Sequence, residues 1–265
     1  MLEERTVAIV LRVRAYGESD KIVTFLTRDW GKVTGIAKGA KRSRRRFVNV
    51  LEPFTSVQLR FRPSRTNDLA LILGCDLVRS FRAPSRDLQR YAFASYLVEL
   101  IDVMVTGRES GEETFALLLH GLTVLEECHE LPLSFLPGFE LLLLTYVGYA
   151  PNVEGCQQCG LLIDRRTGSV AFSPSLRGVL CPRCHGKGGA ALFLSEETVR
   201  LLSNPKERNP EMFLLMEMSS RVCREMRTVV TGLLSHHLAR PLKSRAFLER
   251  TGFLGDSLVD DPKGE

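Results

Sequence analysis

Thr6-Val-Ala-Ile-Val-Leu-Arg-Val-Arg14 alternates in character from one residue to the next. Val7, Ile9, Leu11 and Val13 share one face; Thr6, Ala8, Val10, Arg12 and Arg14 share the other. A period of two is that of a β-strand with one face buried. Residues 21–28, with Ile22, Val23, Thr24 and Phe25, read as a second strand, and residues 32–37 as a third. In residues 54–62, Val57, Leu59 and Phe61 oppose Ser56, Gln58, Arg60 and Arg62, and residues 69–78 make a fifth strand. Turn signals stand between them at Gly17-Glu18-Ser19-Asp20, at Trp30-Gly31 and over residues 63–68. Five short strands joined in this way fit a closed or nearly closed barrel. The oligonucleotide-binding (OB) barrel is the five-stranded example that takes single strands on one face and in its loops.

Between the third and fourth strands runs Lys38-Gly-Ala-Lys-Arg-Ser-Arg-Arg-Arg46. Lys38, Lys41, Arg42, Arg44, Arg45 and Arg46 are cationic and no carboxylate interrupts them. Like charges this dense repel, so the stretch reads as a solvated loop that an anion would organise rather than as core or regular helix. A nucleic-acid backbone suits it, because each neutralised phosphate releases counterions; a charged loop kept for solubility is the alternative. Arg12, Arg14, Lys32, Arg60 and Arg62 fall on polar strand faces and extend the basic surface. Barrels that hold single strands also use aromatic rings as stacking platforms. Tyr16, Phe25, Trp30, Phe47, Phe54 and Phe61 are available. Phe25, Phe54 and Phe61 lie on or beside apolar faces and read as core, which leaves Phe47, next to the basic run, as the stacking candidate.

The chain has 265 residues, 44% hydrophobic and 25% charged, and a net charge of +5. That charge is segregated. Residues 1–90 carry 19 Lys and Arg against 9 Asp and Glu, whereas residues 91–150 carry 1 against 9. The first segment is suited to a polyanion and the second is not. No apolar run is long enough for a membrane span, and the acidic N-terminus does not resemble a signal peptide. A cytoplasmic, nucleoid-associated protein with no membrane partner is the expectation.

From residue 85 the period becomes helical. Ser85 reads as an N-cap, followed by Leu88, Tyr91, Ala92, Tyr96, Leu97, Leu100, Ile101 and Met104 at helical spacing. Residues 112–129 and 133–147 make two more helices. Leu141 to Leu144 is a continuous apolar run that predicts burial on all sides. Ser195 caps a helix over residues 196–203, and one long helix is expected over residues 211–238, closing on His236-His237 as dipole-favoured C-terminal residues. Residues from 252 onward have little to bury.

Cys156-Gln-Gln-Cys159 and Cys181-Pro-Arg-Cys184 are two of the pairs possible among seven cysteines. A two-residue gap lets both thiolates of a pair face one tetrahedral ion. The expectation is one structural Zn2+ held by Cys156, Cys159, Cys181 and Cys184, with coordination closed and no open position for catalysis. Neither a zinc-protease motif nor a phosphate-binding glycine loop is present, so an enzyme is not expected.

The order of parts resembles the bacterial RecO family of recombination mediators and DNA-repair proteins. The resemblance rests on Gly17-Glu18-Ser19-Asp20-Lys21, Gly39-Ala40-Lys41-Arg42-Ser43, the cysteine pairs and Leu242-Lys243-Ser244-Arg245-Ala246-Phe247-Leu248, over residues 5–250. Arg240-Pro241 departs from the Gly-bearing turn expected before Leu242. The resemblance implies an α+β multidomain fold: an N-terminal OB-type barrel (1–82), an α-helical domain (83–150 and 191–251), an inserted zinc ribbon (151–190) and a tail (252–265). It implies binding of single- and double-stranded DNA, annealing of complementary strands, and help from RecR in loading RecA onto strands coated with single-stranded-DNA-binding protein (SSB). RecR, the SSB C-terminal tail and RecF are the implied protein partners. It assigns DNA binding to the basic loop, metal binding to the four cysteines, and a partner contact to Lys243 and Arg245. The alternative is an RNA-binding barrel-and-ribbon protein of the translation machinery. A zinc-dependent nuclease or deaminase and a non-binding scaffold are weaker readings.

Overall fold

In a computed structural model the five alternating segments pair edge to edge and close. The structure describes residues 3–64, 69–106, 111–163, 169–186, 192–205, 209–238 and 240–254. Strands β1 (Glu4–Tyr16), β2 (Asp20–Thr27), β3 (Gly31–Ala37), β4 (Thr55–Arg62) and β5 (Leu69–Ser80) form a closed barrel in the order β1-β2-β3-β5-β4. Only β3 and β5 run parallel; β1 completes the ring by pairing with β4. This is the expected OB-type arrangement.

The barrel core does not use the face that alternation suggests. Ala8 and Val10 lie inside with Val23, Phe25, Ala37, Val57, Leu59, Phe61 and Ile72. The register of β1 against β2 shifts between Val10 and Arg12, after which Val13 packs on the core. An irregularity of this kind changes which residues point inward. Ile9 and Leu11 are buried as well, because the outer side of this strand is not solvent: helices α1 (Leu88–Met104) and α2 (Gly111–Glu127) pack against it, and α2 also covers β2 and β3. Hence Thr24 and Leu26, on the outer face of β2, are buried too.

Two compact units emerge, Met1–Cys128 with Leu242–Leu248, and His129–Pro241 with Glu249–Glu265. In the first, the N-cap of α1 is Asp87, whose carboxylate accepts from the Arg90 amide at 2.8 Å. Ser85, the cap expected from sequence, instead closes a preceding 3-10 turn by donating to the Arg82 carbonyl. The Arg90 guanidinium donates to the carbonyls of Leu125 and Cys128 at the end of α2, so the basic side chain satisfies orphan helix acceptors.

In the second unit, α3 (Phe135–Tyr146) is buried at every position but Leu136, as its apolar run predicts. Three strands follow, β6 (Ser169–Ser173), β7 (Gly178–Leu180) and β8 (Leu192–Ser195), in the sheet order β7-β6-β8. Ser195 caps α4 (Glu196–Ser203), accepting from the Thr198 amide. The single helix expected over 211–238 is two, α5 (Pro210–Leu214) and α6 (Ser220–His237). Ser219 starts α6 by accepting from the Val222 amide, and Ser134 fixes the intervening segment by donating to the Met216 carbonyl at 2.6 Å. His236 and His237 stand in the last turn of α6; the His237 ring lies 3.7 Å from that of Tyr149, and burial, then Arg177 and His236, lower its pKa. A last helix, α7 (Lys243–Arg250), closes the described chain, and the tail from residue 255 lies outside the described residues.

Gly35 marks the tightest point of the barrel. A Cβ there would meet the Ala70 carbonyl at 2.7 Å and the Ile72 side chain. Gly35→Ala is therefore expected to overpack the β3–β5 contact and lower stability by about 1–3 kcal/mol, read as a reduced urea midpoint with the slope unchanged.

Candidate nucleic-acid interface and metal centre

The basic stretch is held at both ends by hydrogen bonds to its own chain. Residues 40–42 form one 3-10 turn, with Gly39 in the left-handed region at φ 68°. The root of the loop is held by the β1–β2 hairpin: the Asp20 carboxylate accepts from the Gly39 amide at 2.8 Å and from the Ser19 hydroxyl at 2.7 Å. The Lys41 amide donates to the Ser19 carbonyl at 2.9 Å, and the Lys41 Nζ to the Gly17 carbonyl at 2.7 Å. At the far end, the Ser43 hydroxyl accepts from the amides of Arg46 and Phe47, the Arg46 guanidinium reaches the Lys38 carbonyl, and the Cys75 amide of β5 donates to the Arg46 carbonyl. Backbone carbonyls thus take charge that a solvated loop would leave to water. These bonds, and not solvation alone, shape the loop. Lys38, Lys41, Arg42, Arg44, Arg45 and Arg46 are all exposed, and none forms a salt bridge among the described residues.

The remaining basic candidates divide. Arg14 and Arg62 are exposed. Arg12 and Lys32 converge on Asp102 near the end of α1, at 3.5 Å and 3.6 Å, and the Lys32 Nζ also donates to the Asp102 carbonyl. These two cations are engaged with the helix that covers the barrel, and the Arg12 side chain remains 45% exposed. Arg60 faces Glu3 at 3.9 Å and lies against Gly74. Phe47 is not a stacking platform: it is 4% exposed and belongs to the barrel core, with the Arg46 guanidinium 5.1 Å from its ring. The exposed ring at this end is Tyr16, at 54%. Sequence carried a signal for it, since the outward set Arg12, Arg14 continues to residue 16 with the same period.

The four paired cysteines come together in the second unit. Their Sγ atoms lie within 4.8 Å of one another, and those of Cys159 and Cys181 are 3.7 Å apart. A tetrahedral ion with metal–sulfur bonds of about 2.3 Å requires edges of about 3.8 Å. The first knuckle is closed by Gly160 donating to the Cys156 carbonyl, with Gly160 at φ 75°; the second by Cys184 and His185 donating to the Cys181 carbonyl. Burial resists ionisation of Cys156, yet the backbone of Cys181, Gln158 and Cys159 brings its thiol down to about 6. Cys184 is pushed up to about 12, first by its bond to the Cys181 thiol and then by burial. One thiolate forms readily and the last is strongly opposed, which is the charge problem a divalent cation solves. The donor set therefore fits a metal ion.

Near the C-terminus the Leu242-Lys243-Ser244-Arg245 segment is anchored to α1. Glu99 accepts from the amides of Lys243 and Ser244 and from the Ser244 hydroxyl, placing a carboxylate at the N-terminus of α7. Lys243 is exposed; the Arg245 guanidinium lies 3.5 Å from the Tyr96 hydroxyl.

Two family profiles cover the chain: Recombination protein O N terminal over residues 1–81 and Recombination protein O C terminal over residues 85–246. The chain belongs to the recombination protein O family. Similar relatives named DNA repair protein RecO include that of Symbiobacterium thermophilum, 36% identical over 91% of this chain and 94% of its own. That of Syntrophus aciditrophicus is 34% identical over 95% and 97%, and that of Anaeromyxobacter dehalogenans 36% over 92% and 95%. In this recombination protein O chain the profile boundary falls just after β5, where the Phe81 amide closes onto the Phe54 carbonyl, and the second profile contains all four clustered cysteines. Among the described residues no helix is long and apolar enough to cross a membrane.

Two outcomes follow from this geometry. The bond from the Gly39 amide, then that from Ser19, holds the Asp20 pKa below 3.8 against a weak opposing effect of burial, with Lys38 and Lys41 assisting. A depressed carboxylate contributes at pH above its unfolded value and is lost as pH falls through the lower folded value, so the clamp persists at neutral pH. Asp20→Ala is expected to speed hydrogen exchange of the Gly39 and Lys41 amides at least about tenfold while β1–β5 amides keep their protection; unchanged exchange would show that the hairpin does not hold the loop. Chelation of the metal is expected to expose the amides of Gly160, Cys184 and His185 and to leave the barrel folded, as read by exchange and by near-ultraviolet dichroism.

Proposed function

We propose that the chain is a DNA-repair and recombination mediator that binds single- and double-stranded DNA without breaking bonds. The single observation that carries the reading is a loop of six exposed cations, shaped by its own backbone and rooted on the β1–β2 hairpin of an OB-type barrel. Lys38, Lys41, Arg42, Arg44, Arg45 and Arg46 hold phosphates, with Arg14 and Arg62 extending the surface. Prior shaping lowers the ordering cost of binding. Phosphates neutralised on one strand repel a second strand less, so complementary strands anneal without nucleotide energy. Contacts of this kind orient the chain on the polymer but do not read its sequence.

In the same proposal, the ion held by Cys156, Cys159, Cys181 and Cys184 is a structural Zn2+, suited to four thiolates and a closed tetrahedron. RecR and the SSB C-terminal tail are partners, with RecF as a third, in loading RecA onto SSB-coated strands; Lys243 is the exposed candidate for such a contact. The barrel (1–82), helical (83–150 and 191–251) and ribbon (151–190) segments are the functional divisions, and the setting is cytoplasmic. The names of the relatives support the repair role. An RNA-binding role in translation draws on nothing beyond the shared barrel.

Fluorescence anisotropy of a labelled single-stranded oligonucleotide across a salt series tests the reading. The Arg44→Ala, Arg45→Ala, Arg46→Ala triple variant is expected to bind more weakly and to lose about 2 from the slope of log K against log salt, from about 0.7 per phosphate contact. Equal affinity and slope in the two proteins would remove the loop from the interface, and tighter binding of structured RNA than of DNA would favour the translation reading.

A further inference from the structure

The geometry points to Tyr16 as a stacking platform for an unpaired nucleobase, the element that gives this barrel a preference for single strands over duplex. The inference rests on the proposed role of the basic loop and goes beyond it, because phosphate contacts alone do not distinguish an unpaired strand from a paired one.

Three observations carry it. First, the ring is open. Tyr16 is 54% exposed, whereas Phe25, Phe47, Phe54 and Phe61 are buried and Trp30 stands edge-on to Phe61 at 5.7 Å. From Arg12 onward the outward residues of β1 are open, and Tyr16 is the ring among them.

Second, its place is fixed. Tyr16 pairs with Asp20 at the last rung of the β1–β2 ladder. Asp20 holds Gly39, and the Lys41 Nζ donates to Gly17, the residue next to Tyr16. The ring and the root of the basic loop are therefore parts of one hydrogen-bonded corner, and neither needs to order before the other can be used.

Third, the charge around it alternates with the ring. Arg14 is exposed two residues earlier on the same face, about 7 Å along the strand. Ile22 pairs with Arg14 and with Ile36, and both isoleucines are half-buried, giving an apolar floor between the cation and the loop. Farther along this face the helices take over: Thr24 and Leu26 are covered, and Arg12 is engaged by Asp102. The open part of the outer β1–β2–β3 surface is thus the part that carries Arg14, Tyr16 and the loop. Cations that follow a backbone beside a ring that accepts a base are the combination that holds single strands with little regard to sequence. A paired base offers its face to its neighbours in the stack and cannot offer it to Tyr16.

The test uses the full-length protein and an oligonucleotide with 2-aminopurine at successive positions, whose fluorescence is quenched when the base stacks, together with a fully paired duplex of the same sequence. Tyr16→Ala is expected to weaken single-strand binding by roughly 5- to 100-fold, the range for loss of one base–aromatic stack. It should abolish quenching at one position and leave the salt slope and duplex affinity as in wild type. Tyr16→Phe is expected to restore both affinity and quenching. The Arg44→Ala, Arg45→Ala, Arg46→Ala variant separates the two readings, since loss of the loop lowers the slope for both substrates. Wild-type quenching in Tyr16→Ala, or equal loss on single strand and duplex, overturns the proposal. A triple variant that binds like wild type removes the loop reading alone, and the ring is then judged by its own quenching signal. Thermal midpoints of the variants equal to wild type confirm that an exposed side chain, not the fold, was changed.

Discussion

Everything in the first unit depends on β1 pairing on both sides. Its early residues run against β4, its later ones against β2, and the register shift between Val10 and Arg12 lets one strand serve both without losing the core. Before the shift Ala8 and Val10 fill the barrel; after it Val13 does, and Arg14 and Tyr16 are exposed beyond it. The irregularity decides which residues reach the open corner. A strand without it would carry the opposite alternation past residue 12 and turn Arg14 and Tyr16 towards the interior, where neither a guanidinium nor a phenol has a partner.

The same corner resolves an electrostatic conflict. Six cations in nine residues would keep a free loop extended. Here repulsion is met by acceptors rather than by carboxylate pairs: the carbonyls of Gly17 and Lys38 take the side chains of Lys41 and Arg46, that of Ser19 takes the Lys41 amide, and a single carboxylate, Asp20, takes the Gly39 amide. Asp20 lies at the root of the loop and pairs with none of its side chains at salt-bridge distance, so the positive field at the tip is left intact. The acidic residues of the following segment act elsewhere, Asp102 on Arg12 and Lys32, and Glu99 on the start of α7.

The strands were legible because each has its own period and its own turn signals, and closure of the ring left no edge to misassign. Faces were less legible. In β1 both sides are apolar in the middle, since the barrel takes Ala8 and Val10 while the helices take Ile9 and Leu11, and alternation cannot tell two buried sides apart. Phe47 misled because a ring after a charge run reads as part of the charged surface, whereas Ser43 turns the backbone so that the next residue enters the core. The contacts of Arg12 and Lys32 with Asp102 were not legible, because that partner lies 70 residues or more away in sequence. The break between α5 and α6 carried no Gly or Pro; it is made by Ser134, the residue before α3, and by Ser219, a cap residue that stood inside an otherwise continuous helical pattern. The cysteine site was the most legible part, since a metal-binding pair states its geometry in its spacing.

The ribbon shows why those thiols belong to the fold as much as to the ion. Its buried cluster is Cys156, Ala171, Leu180 and Cys181, with Ile163 and Cys184 packed against it. Half of that cluster is candidate ligand, while Val153, Val170, Phe172 and Val179 of the same segment are buried outside it. A cation at this site would supply both a cross-link between the two knuckles and neutralisation of the thiolates.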